Sequence, residues 1–313
     1  MKINLKKNVP LRNYTTFKIG GKARYFFVAK KKEDVKNAIE FAKKKRIPFF
    51  ILGEGSNVLF PDEGFRGIVI KLEILNFKLE NNKVFVGAGY PLTKLAQKLA
   101  KKSFSGLEFA VGIPGTIGGA IRGNAGAFGM EIKDVVDEVE VLKIENCKLK
   151  IEKLKNKDCQ FGYRESIFKK KKNWIILKAT LKIKKGNKKR IQEKIKKILS
   201  KRIKTQPLEF PSAGSVFKNI PLEKVPKNVK EKFRDKIKRE PFPCLPAAVL
   251  IEALGLKGYQ IGGAKISEKH ANFIINAKKA KAKDILQLIR LIKKKVRKRF
   301  GVNLELEIEL VKV

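Results

Sequence analysis

Histidine and cysteine are scarce in this sequence of 313 residues, which holds one histidine, His270, and three cysteines, Cys147, Cys159 and Cys244. With a single histidine, a catalytic triad or a histidine-rich metal site has only one possible donor. The three cysteines are too far apart for a zinc knuckle, a CxxC pair or a disulfide framework. We therefore expect no metal site and no disulfide scaffold.

Long apolar runs are also missing from the sequence. No run approaches the roughly 18 residues of a membrane span, and the N-terminal stretch MKINLKKNVP has no apolar signal-peptide core. We therefore expect a cytoplasmic protein that has no membrane partner. Hydrophobic residues make up 43% of the chain, enough for a sizeable core, and a length of 313 residues favours two domains.

Acidic residues are few, because 30 Asp and Glu stand against 73 Lys and Arg, for a formal net charge of +43. Such a charge invites a nucleic-acid interpretation, since cationic faces gain affinity by releasing phosphate counterions. The basic clusters at 169–172, 184–190 and 293–299 are, however, spread over the chain and lack interleaved aromatic residues for base stacking. A lysine-rich proteome would give the same composition. We expect no specific nucleic-acid partner, and we expect the charge at most to steer an anionic small substrate.

The spacing of apolar residues predicts an α+β protein. Strict alternation in LELEIELV predicts a last strand at 304–311, with Glu305, Glu307 and Glu309 on one face. Before it, strands are predicted at 23–29, 47–52, 67–72, 83–89 and in several short runs between about 135 and 185, and helices at 32–45, 92–102, 188–204, 247–255 and about 282–300.

Glycine is concentrated in two segments, 53–57 (GEGSN) and 112–129, where the backbone can approach a ligand closely. GxG turns at 53–58 and 87–92 mimic a dinucleotide fingerprint but lack its third glycine, and each alone is typical of an ordinary turn. Segment 112–129 holds seven glycines, which favours a flat backbone bed for the pyrophosphate of a large cofactor. Close helix–strand packing is the alternative explanation for Gly118 and Gly119.

A series of motifs covers nearly the whole chain. They are NYTTFKIGGKARYF (13–26), LGEGSNVLF (52–60), GIPGTIGGAIRGNAGAFG (112–129), CQFGYRES (159–166), AGSVFKN (213–219), GLKGYQIGGAKISEKHANFIIN (255–276) and GVNLELE (301–307). Their content and order resemble the UDP-N-acetylenolpyruvoylglucosamine reductase family, a branch of the vanillyl-alcohol-oxidase-like flavoproteins. Arg164 and Ser215 are only 51 positions apart, which implies the shorter form of that family, without an extra tyrosine-bearing loop.

The resemblance implies an α+β fold in which a two-subdomain FAD-binding fold of the vanillyl-alcohol-oxidase (PCMH) type precedes a smaller C-terminal domain that binds substrate. FAD would lie between the two N-terminal subdomains, and the last strand would return towards the active site. The implied bounds are 1–187 for the FAD-binding domain (subdomains of about 1–72 and 73–187), 188–204 for a bridging segment and 205–313 for the C-terminal domain.

The implied reaction is the reduction of UDP-N-acetyl-3-O-(1-carboxyvinyl)glucosamine to UDP-N-acetylmuramate by NADPH, through tightly bound FAD. This step belongs to peptidoglycan precursor synthesis, and thus to cell-wall biogenesis, cell shape, cell division and the cell cycle. The expected partners are the UDP-sugar enolpyruvyl ether and NADPH, and the expected state is a monomer. No ribose-recognition motif separates NADPH from NADH. Two alternatives are another FAD-dependent oxidoreductase of the same cofactor fold and a basic nucleic-acid-binding protein.

Three residues receive catalytic roles from their positions in the family motifs. Ser215 in AGSVFKN would give a proton to the enolate carbon. Arg164 in GYRES would bind and stabilise the enolate carboxylate, a task that suits a planar, permanently charged fork. Glu307 in LELE would hydrogen-bond near the same group. Alternation alone would equally allow Glu305 or Glu309.

Further residues are implied as ligand contacts. Lys218 and Asn219 would meet the substrate's diphosphate or carboxylate, and Asn124 and Tyr163 are also expected to contact the substrate. His270 is expected to be a hydrogen-bonded structural residue. The implied FAD contacts are Gly53, Glu54, Gly55, Ser56, Asn57, Gly112, Ile113, Pro114, Gly115, Thr116, Gly118, Gly119, Ala120 and Gly123.

Overall fold

The structure is a computed structural model that describes residues 4–145 and 148–312, so Cys147 lies outside the described residues. The chain packs into two compact units that each draw on separate stretches of sequence. These units are defined by packing, whereas the predicted domain bounds come from the family resemblance, so those bounds stay predictions. The first unit is Met1–Val9, Ala23–Glu54 and Arg66–Arg202, and the second unit is Pro10–Lys22, Gly55–Phe65 and Ile203–Val313.

The first unit contains two main sheets. In the smaller sheet, Phe49–Leu52 runs parallel to Phe65–Leu72, and helix Lys32–Lys44 buries its predicted apolar positions, among them Val35 and Ile39. The larger sheet is antiparallel throughout. Across the smaller sheet, the strands lie in the order Lys6–Pro10, Lys22–Ala29, Phe65–Leu72 and Phe49–Leu52. Across the larger sheet, the order is Lys148–Lys155, Val136–Glu145, Trp174–Lys182, Lys83–Gly87 and Phe77–Glu80.

Shorter elements complete the first unit. Two small antiparallel pairs join Phe104–Ser105 to Lys184–Lys185 and Gly126–Ala127 to Met130–Glu131. Besides Lys32–Lys44, this unit contains the α-helices Leu92–Lys101, Ile117–Arg122 and Ile167–Lys170 and the 3-10 helices Glu108–Ala110, Ile132–Asp134 and Asn156–Cys159. Helix Lys188–Thr205 belongs to the first unit as far as Arg202.

The second unit is built on a four-stranded antiparallel sheet, with its own buried core. Its strands, in order across the sheet, are Ser212–Ser215, Phe273–Asn276, Ala264–Ile266 and Gln260–Ile261. Ile220–Pro221 pairs with Cys244–Leu245, and Glu309–Leu310 pairs with Val58–Leu59. The α-helices are Lys227–Lys232, Ala247–Glu252 and Ala282–Phe300, and the 3-10 helices are Leu11–Tyr14, Leu222–Lys224 and Arg234–Lys236.

Helix Ala282–Phe300 agrees with the prediction at both ends. Its apolar stripe is buried, from Ile285 to Phe300. The Asp62 carboxylate accepts hydrogen bonds from the backbone N–H groups of Ala282 (2.8 Å) and Lys283 (3.1 Å), which satisfies donors that the first helical turn leaves unpaired. Gly301, with φ 67°, ends the helix in the left-handed conformation that favours glycine.

The predicted strand at 304–311 is wrong for most of its length. Within this stretch, all of which the structure describes, the strand is limited to Glu309–Leu310, parallel to Val58–Leu59. The physical reason is a change of partner, because the chain ahead of Glu309 hydrogen-bonds to 216–218 and then bends. Glu305, Glu307 and Glu309 therefore lie along a segment that changes partner, not along one continuous strand.

Among residues 4–145 and 148–312, no helix has both the length and the apolar composition that crossing a bilayer takes.

Candidate active site

In the first unit, the two glycine-rich segments contact each other. The Glu54 carboxylate accepts a hydrogen bond from Gly115 N–H at 2.8 Å. A Cβ at Gly53 would lie 2.6 Å from Thr116 Oγ1, closer than real Cβ contacts occur, so a side chain at position 53 would require Thr116 to move. Four of the predicted FAD contacts therefore lie side by side.

The glycines of segment 112–129 serve different purposes. Gly112 and Gly115 have φ of 80° and 126°, values that side chains rarely adopt. Gly118 follows the packing explanation, because its N–H donates to Ala88 O at 2.8 Å and a Cβ there would lie 3.0 Å from Ala88 Cβ. At these three positions the backbone conformation or the packing of the protein itself favours glycine.

Gly119 and Gly123 are different, because packing within the protein does not require glycine there. A Cβ at Gly119 would lie 3.6 Å from Thr116 Oγ1, and one at Gly123 would lie 3.5 Å from Gly119 O, both ordinary contact distances. The φ angles of both residues lie outside the left-handed region. A flat ligand that approaches closely needs backbone without side chains, which would explain glycine where packing within the protein does not require it. Gly119 and Gly123 therefore fit contact with an FAD molecule.

The later part of the GEGSN motif belongs to the second unit. Gly55, with φ 63°, packs its Cα against the backbone of Tyr14, where a Cβ would lie 2.2 Å from the carbonyl oxygen. The Asn57 side chain donates from Nδ2 to Glu307 O at 3.0 Å, and Asn57 O accepts from Glu309 N at 2.9 Å. The predicted FAD contact of Asn57 stays a prediction, whereas its bond to the Glu307 backbone is a feature of the fold.

Arg164 lies in the first unit, in a turn where its own φ is 57°. Its Nη2 donates to Gly126 O at 2.8 Å, and its Nη1 lies 3.4 Å from a carboxylate oxygen of the buried Glu131. The guanidinium carbon lies 5.0 Å from the ring centre of Tyr163. These contacts hold the orientation of a permanently charged fork.

Asn124, a predicted substrate contact, is fully buried beside Arg164. Its Nδ2 donates to Glu131 Oε2 (2.9 Å) and to Gly162 O (2.8 Å), and its Oδ1 accepts from Lys133 N (3.2 Å). The side chain thus ties the Glu131 region to the turn that carries Arg164, while its predicted substrate contact stays untested. Sequence reasoning missed Glu131, because a single carboxylate outside any motif carries no local signal.

Ser215 and Glu307 lie on neighbouring segments of the second unit. Glu307 N donates to Val216 O at 2.8 Å and Lys218 N donates to Glu305 O at 2.9 Å, so the two segments run antiparallel. Both catalytic candidates are half-buried. The structure therefore brings together two predicted residues that are far apart in sequence, while Arg164 belongs to the first unit.

The surroundings distinguish Glu305 from Glu307. The Glu305 side chain is 57% exposed and pairs with Lys224 (3.0 Å) and Lys218 (3.7 Å). The hydrogen bond from Lys224 and the charge of both lysines hold the pKa of Glu305 below its ordinary value. Glu305 is thus a surface carboxylate between two lysines, and Lys218, a predicted substrate contact, is one of them. Asn219, the other predicted contact in this motif, hydrogen-bonds to the Cys244 thiol.

Two residues of the HANF sequence support the Ser215 segment. Asn272, 3% exposed, donates from Nδ2 to Phe217 O (2.8 Å) and accepts at Oδ1 from Phe217 N (3.0 Å). His270 Nδ1 accepts from Asn272 N at 3.2 Å, as expected of a hydrogen-bonded structural residue. Burial lowers the pKa of His270, which favours the neutral ring. Asn272 was missed from sequence although its motif was noticed, because its partner is 55 positions away.

Comparisons with known proteins agree along the whole chain. The profile of an FAD binding domain matches residues 23–149, and that of the UDP-N-acetylenolpyruvoylglucosamine reductase C-terminal domain matches residues 206–311. The UDP-N-acetylenolpyruvoylglucosamine reductase of Caldanaerobacter subterraneus subsp. tengcongensis is 43% identical over 305 residues, 97% of this chain and 92% of that protein. The Bacillus subtilis enzyme of the same name is 40% identical over 306 residues, 97% of this chain and 93% of that protein. The crystal structure of the Thermus caldophilus reductase superposes with a TM-score of 0.78 at 33% identity, covering 100% of both chains.

Proposed function

The chain belongs to the UDP-N-acetylenolpyruvoylglucosamine reductase family, and from this premise we propose that Arg164, Ser215 and Glu307 are its catalytic residues. The predicted family, α+β fold class and FAD cofactor are confirmed. The protein is an FAD-dependent oxidoreductase that reduces the enolpyruvyl ether of UDP-N-acetylglucosamine. This result sets aside the two alternatives, a different oxidoreductase of this fold and a nucleic-acid-binding protein.

The finer assignments are part of the proposal. NADPH is the electron donor, and the enzyme is a cytoplasmic monomer. Because its product feeds peptidoglycan synthesis, the enzyme contributes to cell shape and to cell division. The choice of NADPH and the place in peptidoglycan synthesis are supported by family membership.

When bound, FAD supplies the redox chemistry, taking two electrons from the nicotinamide and passing them to the enolpyruvyl double bond. One carbon of that bond gains a hydride and the other gains a proton, with negative charge spread into the carboxylate between these events. The protein must therefore hold a carboxylate, stabilise the charge that develops on it and deliver one proton. Gly53, Glu54, Thr116, Gly119 and Gly123 are among the residues that would hold the cofactor.

Arg164 is proposed to hold the carboxylate. The bonds from Arg164 to Gly126 O and Glu131 hold the guanidinium fork in one orientation. A planar fork held in this way suits bidentate pairing with a substrate carboxylate. Its charge does not depend on pH, so it can stabilise an enolate under all working conditions.

Ser215 is proposed to deliver the proton, with Glu307 beside it. The observation that carries this assignment is the backbone pairing of 305–307 with 216–218, which places the two residues on adjacent segments. A serine hydroxyl is a weak acid, so it acts as a donor only when its neighbours orient it towards a strongly basic carbon such as an enolate. Glu307 is proposed to hydrogen-bond at that point.

The test separates the two halves of the reaction in anaerobic stopped-flow measurements. Ser215→Ala should leave the rate of flavin reduction by NADPH unchanged and slow flavin oxidation by the enolpyruvyl UDP-sugar by about 100-fold or more. Glu307→Gln should also slow oxidation, whereas Glu305→Gln, at an exposed carboxylate, is the matched control and should not. Oxidation of Ser215→Ala at the wild-type rate would remove Ser215 from its role.

A further inference from the structure

Ser215 lies where regular sheet structure ends. Strand Ser212–Ser215 pairs with Phe273–Asn276, but the register shifts between Ser212 and Ser215. Gly214, with φ 75°, turns the chain at that point. The ladder is thus interrupted just before Ser215, which pairs with Phe273 after the shift, so the bonds made by the residues that follow also bear on its position.

The Asn272 side chain supplies two of these bonds. Its amide is matched to the backbone of one residue, since Nδ2 donates to Phe217 O and Oδ1 accepts from Phe217 N. Asn272 O also accepts from Val216 N at 2.8 Å. Three hydrogen bonds from one buried residue thus fix the two residues that follow Ser215. Such bonds are costly to lose, because the peptide groups would be left unpaired away from water.

The Asn57 side chain does the same for Glu307. Nδ2 of Asn57 donates to Glu307 O, and the backbone oxygen of Asn57 accepts from Glu309 N. These two bonds bracket the bend at which the chain leaves 216–218 and joins Val58–Leu59. The bend sets where Glu307 lies relative to Ser215, because the preceding peptide is bonded from Glu307 N to Val216 O.

We propose that Asn57 and Asn272 are positioning residues of the reductase, which together fix the register of Ser215 against Glu307. The proposal rests on the proposed roles of those two residues. Both asparagines act through backbone bonds within the second unit. Their loss should therefore impair the step that needs the proton, not the uptake of electrons from NADPH. If Asn57 were instead an FAD contact, its loss would weaken FAD binding.

The experiment uses Asn272→Ala and Asn57→Ala in the wild-type and Ser215→Ala backgrounds of the holoenzyme. Asn276→Ala is the matched control, because Asn276 makes a similar long-range bond, Nδ2 to Phe17 O at 3.0 Å, in the same unit. Three quantities are measured for each variant: the rate of flavin reduction by NADPH, the rate of flavin oxidation by the enolpyruvyl UDP-sugar, and the FAD dissociation constant from fluorescence titration.

Each positioning variant should slow flavin oxidation by about 10- to 100-fold, while flavin reduction and the FAD dissociation constant stay within about twofold of the wild type. In the Ser215→Ala background, Asn272→Ala should cause no further slowing, since residues that act through one group are not additive. Asn276→Ala should change none of the three quantities.

Equal slowing of both half-reactions, or the same profile in Asn276→Ala, would overturn the proposal in favour of general destabilisation. Weaker FAD binding with normal oxidation of the bound flavin would overturn it for Asn57. If Asn272→Ala does not fold, half-buried Asn57 still decides the question. A wild-type oxidation rate in Ser215→Ala is a separate result, which refutes the proposed proton donor rather than the positioning of the segments.

Discussion

Replacing Gly119 with alanine tests the cofactor bed through two effects of opposite sign. Gly119 lies in helix Ile117–Arg122, and the added Cβ would be 3.6 Å from Thr116 Oγ1, an ordinary contact. Alanine is favoured over glycine in a helix interior by up to about 1 kcal/mol. Because this helix is short and the site is near its start, we expect about 0.5 kcal/mol of added stability in the apoprotein.

FAD binding should respond in the other direction. A methyl group on the open backbone face would stand where the flat ligand is proposed to approach. We expect the FAD dissociation constant to rise by about tenfold or more, equivalent to about 1.4 kcal/mol. General damage to the fold would lower both stability and affinity, so a more stable apoprotein that binds FAD less tightly is a specific signature.

The assay combines thermal unfolding of the apoprotein with fluorescence titration of FAD. Gly118→Ala is the matched variant, because its Cβ would lie 3.0 Å from Ala88 Cβ and 3.2 Å from Ala88 O. Such overpacking should destabilise the apoprotein by about 1–3 kcal/mol. If Gly119→Ala raises stability and keeps wild-type FAD affinity, the helix Ile117–Arg122 is not part of the cofactor bed.

Two further predictions concern charge. Glu131→Gln keeps the size of the side chain but removes the charge 3.4 Å from Arg164 Nη1. In steady-state assays, kcat/KM for the enolpyruvyl sugar should therefore fall about fivefold, equivalent to about 1 kcal/mol. Unchanged kinetics would contradict a role of Glu131 in holding Arg164. Burial lowers the pKa of His270, so below its ordinary value of 6.5 the unfolded chain binds more protons than the folded one, and this contribution to stability falls as pH falls. His270→Gln should therefore flatten the dependence of unfolding free energy on pH between about 5 and 7 in urea titrations. A slope equal to that of the wild type would show that His270 does not contribute to this dependence.

Local patterns predicted much of the fold. Helix Ala282–Phe300 was predictable at both ends, because its apolar stripe, Asp284 and Gly301 are all signals within one continuous segment. Helix Lys32–Lys44 was predictable for the same reason. The strand predicted at 304–311 was wrong although its alternation is strict, because alternation describes a side-chain pattern and does not show that one partner strand accompanies the whole segment.

The candidate site likewise has features that the sequence predicted and features that it could not. Motifs and resemblance identified Arg164, Ser215 and Glu307, and the glycine content of 112–129 indicated a ligand bed. They could not separate Gly118, which packs against Ala88, from Gly119, which has room for a side chain. That difference depends on atoms of Ala88, in a turn distant in sequence, which no local pattern contains.

By itself, the sequence determined the family, the FAD cofactor, the helices with continuous apolar stripes and the identity of the catalytic candidates. Each of these is encoded by residues close together in the chain, as periodicity or as a motif. The tertiary structure alone decided that 305–307 pair with 216–218, that Glu131 faces Arg164, and that Asn57 and Asn272 hold Glu307 and the segment after Ser215. These are hydrogen bonds between segments far apart in the chain, and their geometry exists only once the cores have packed.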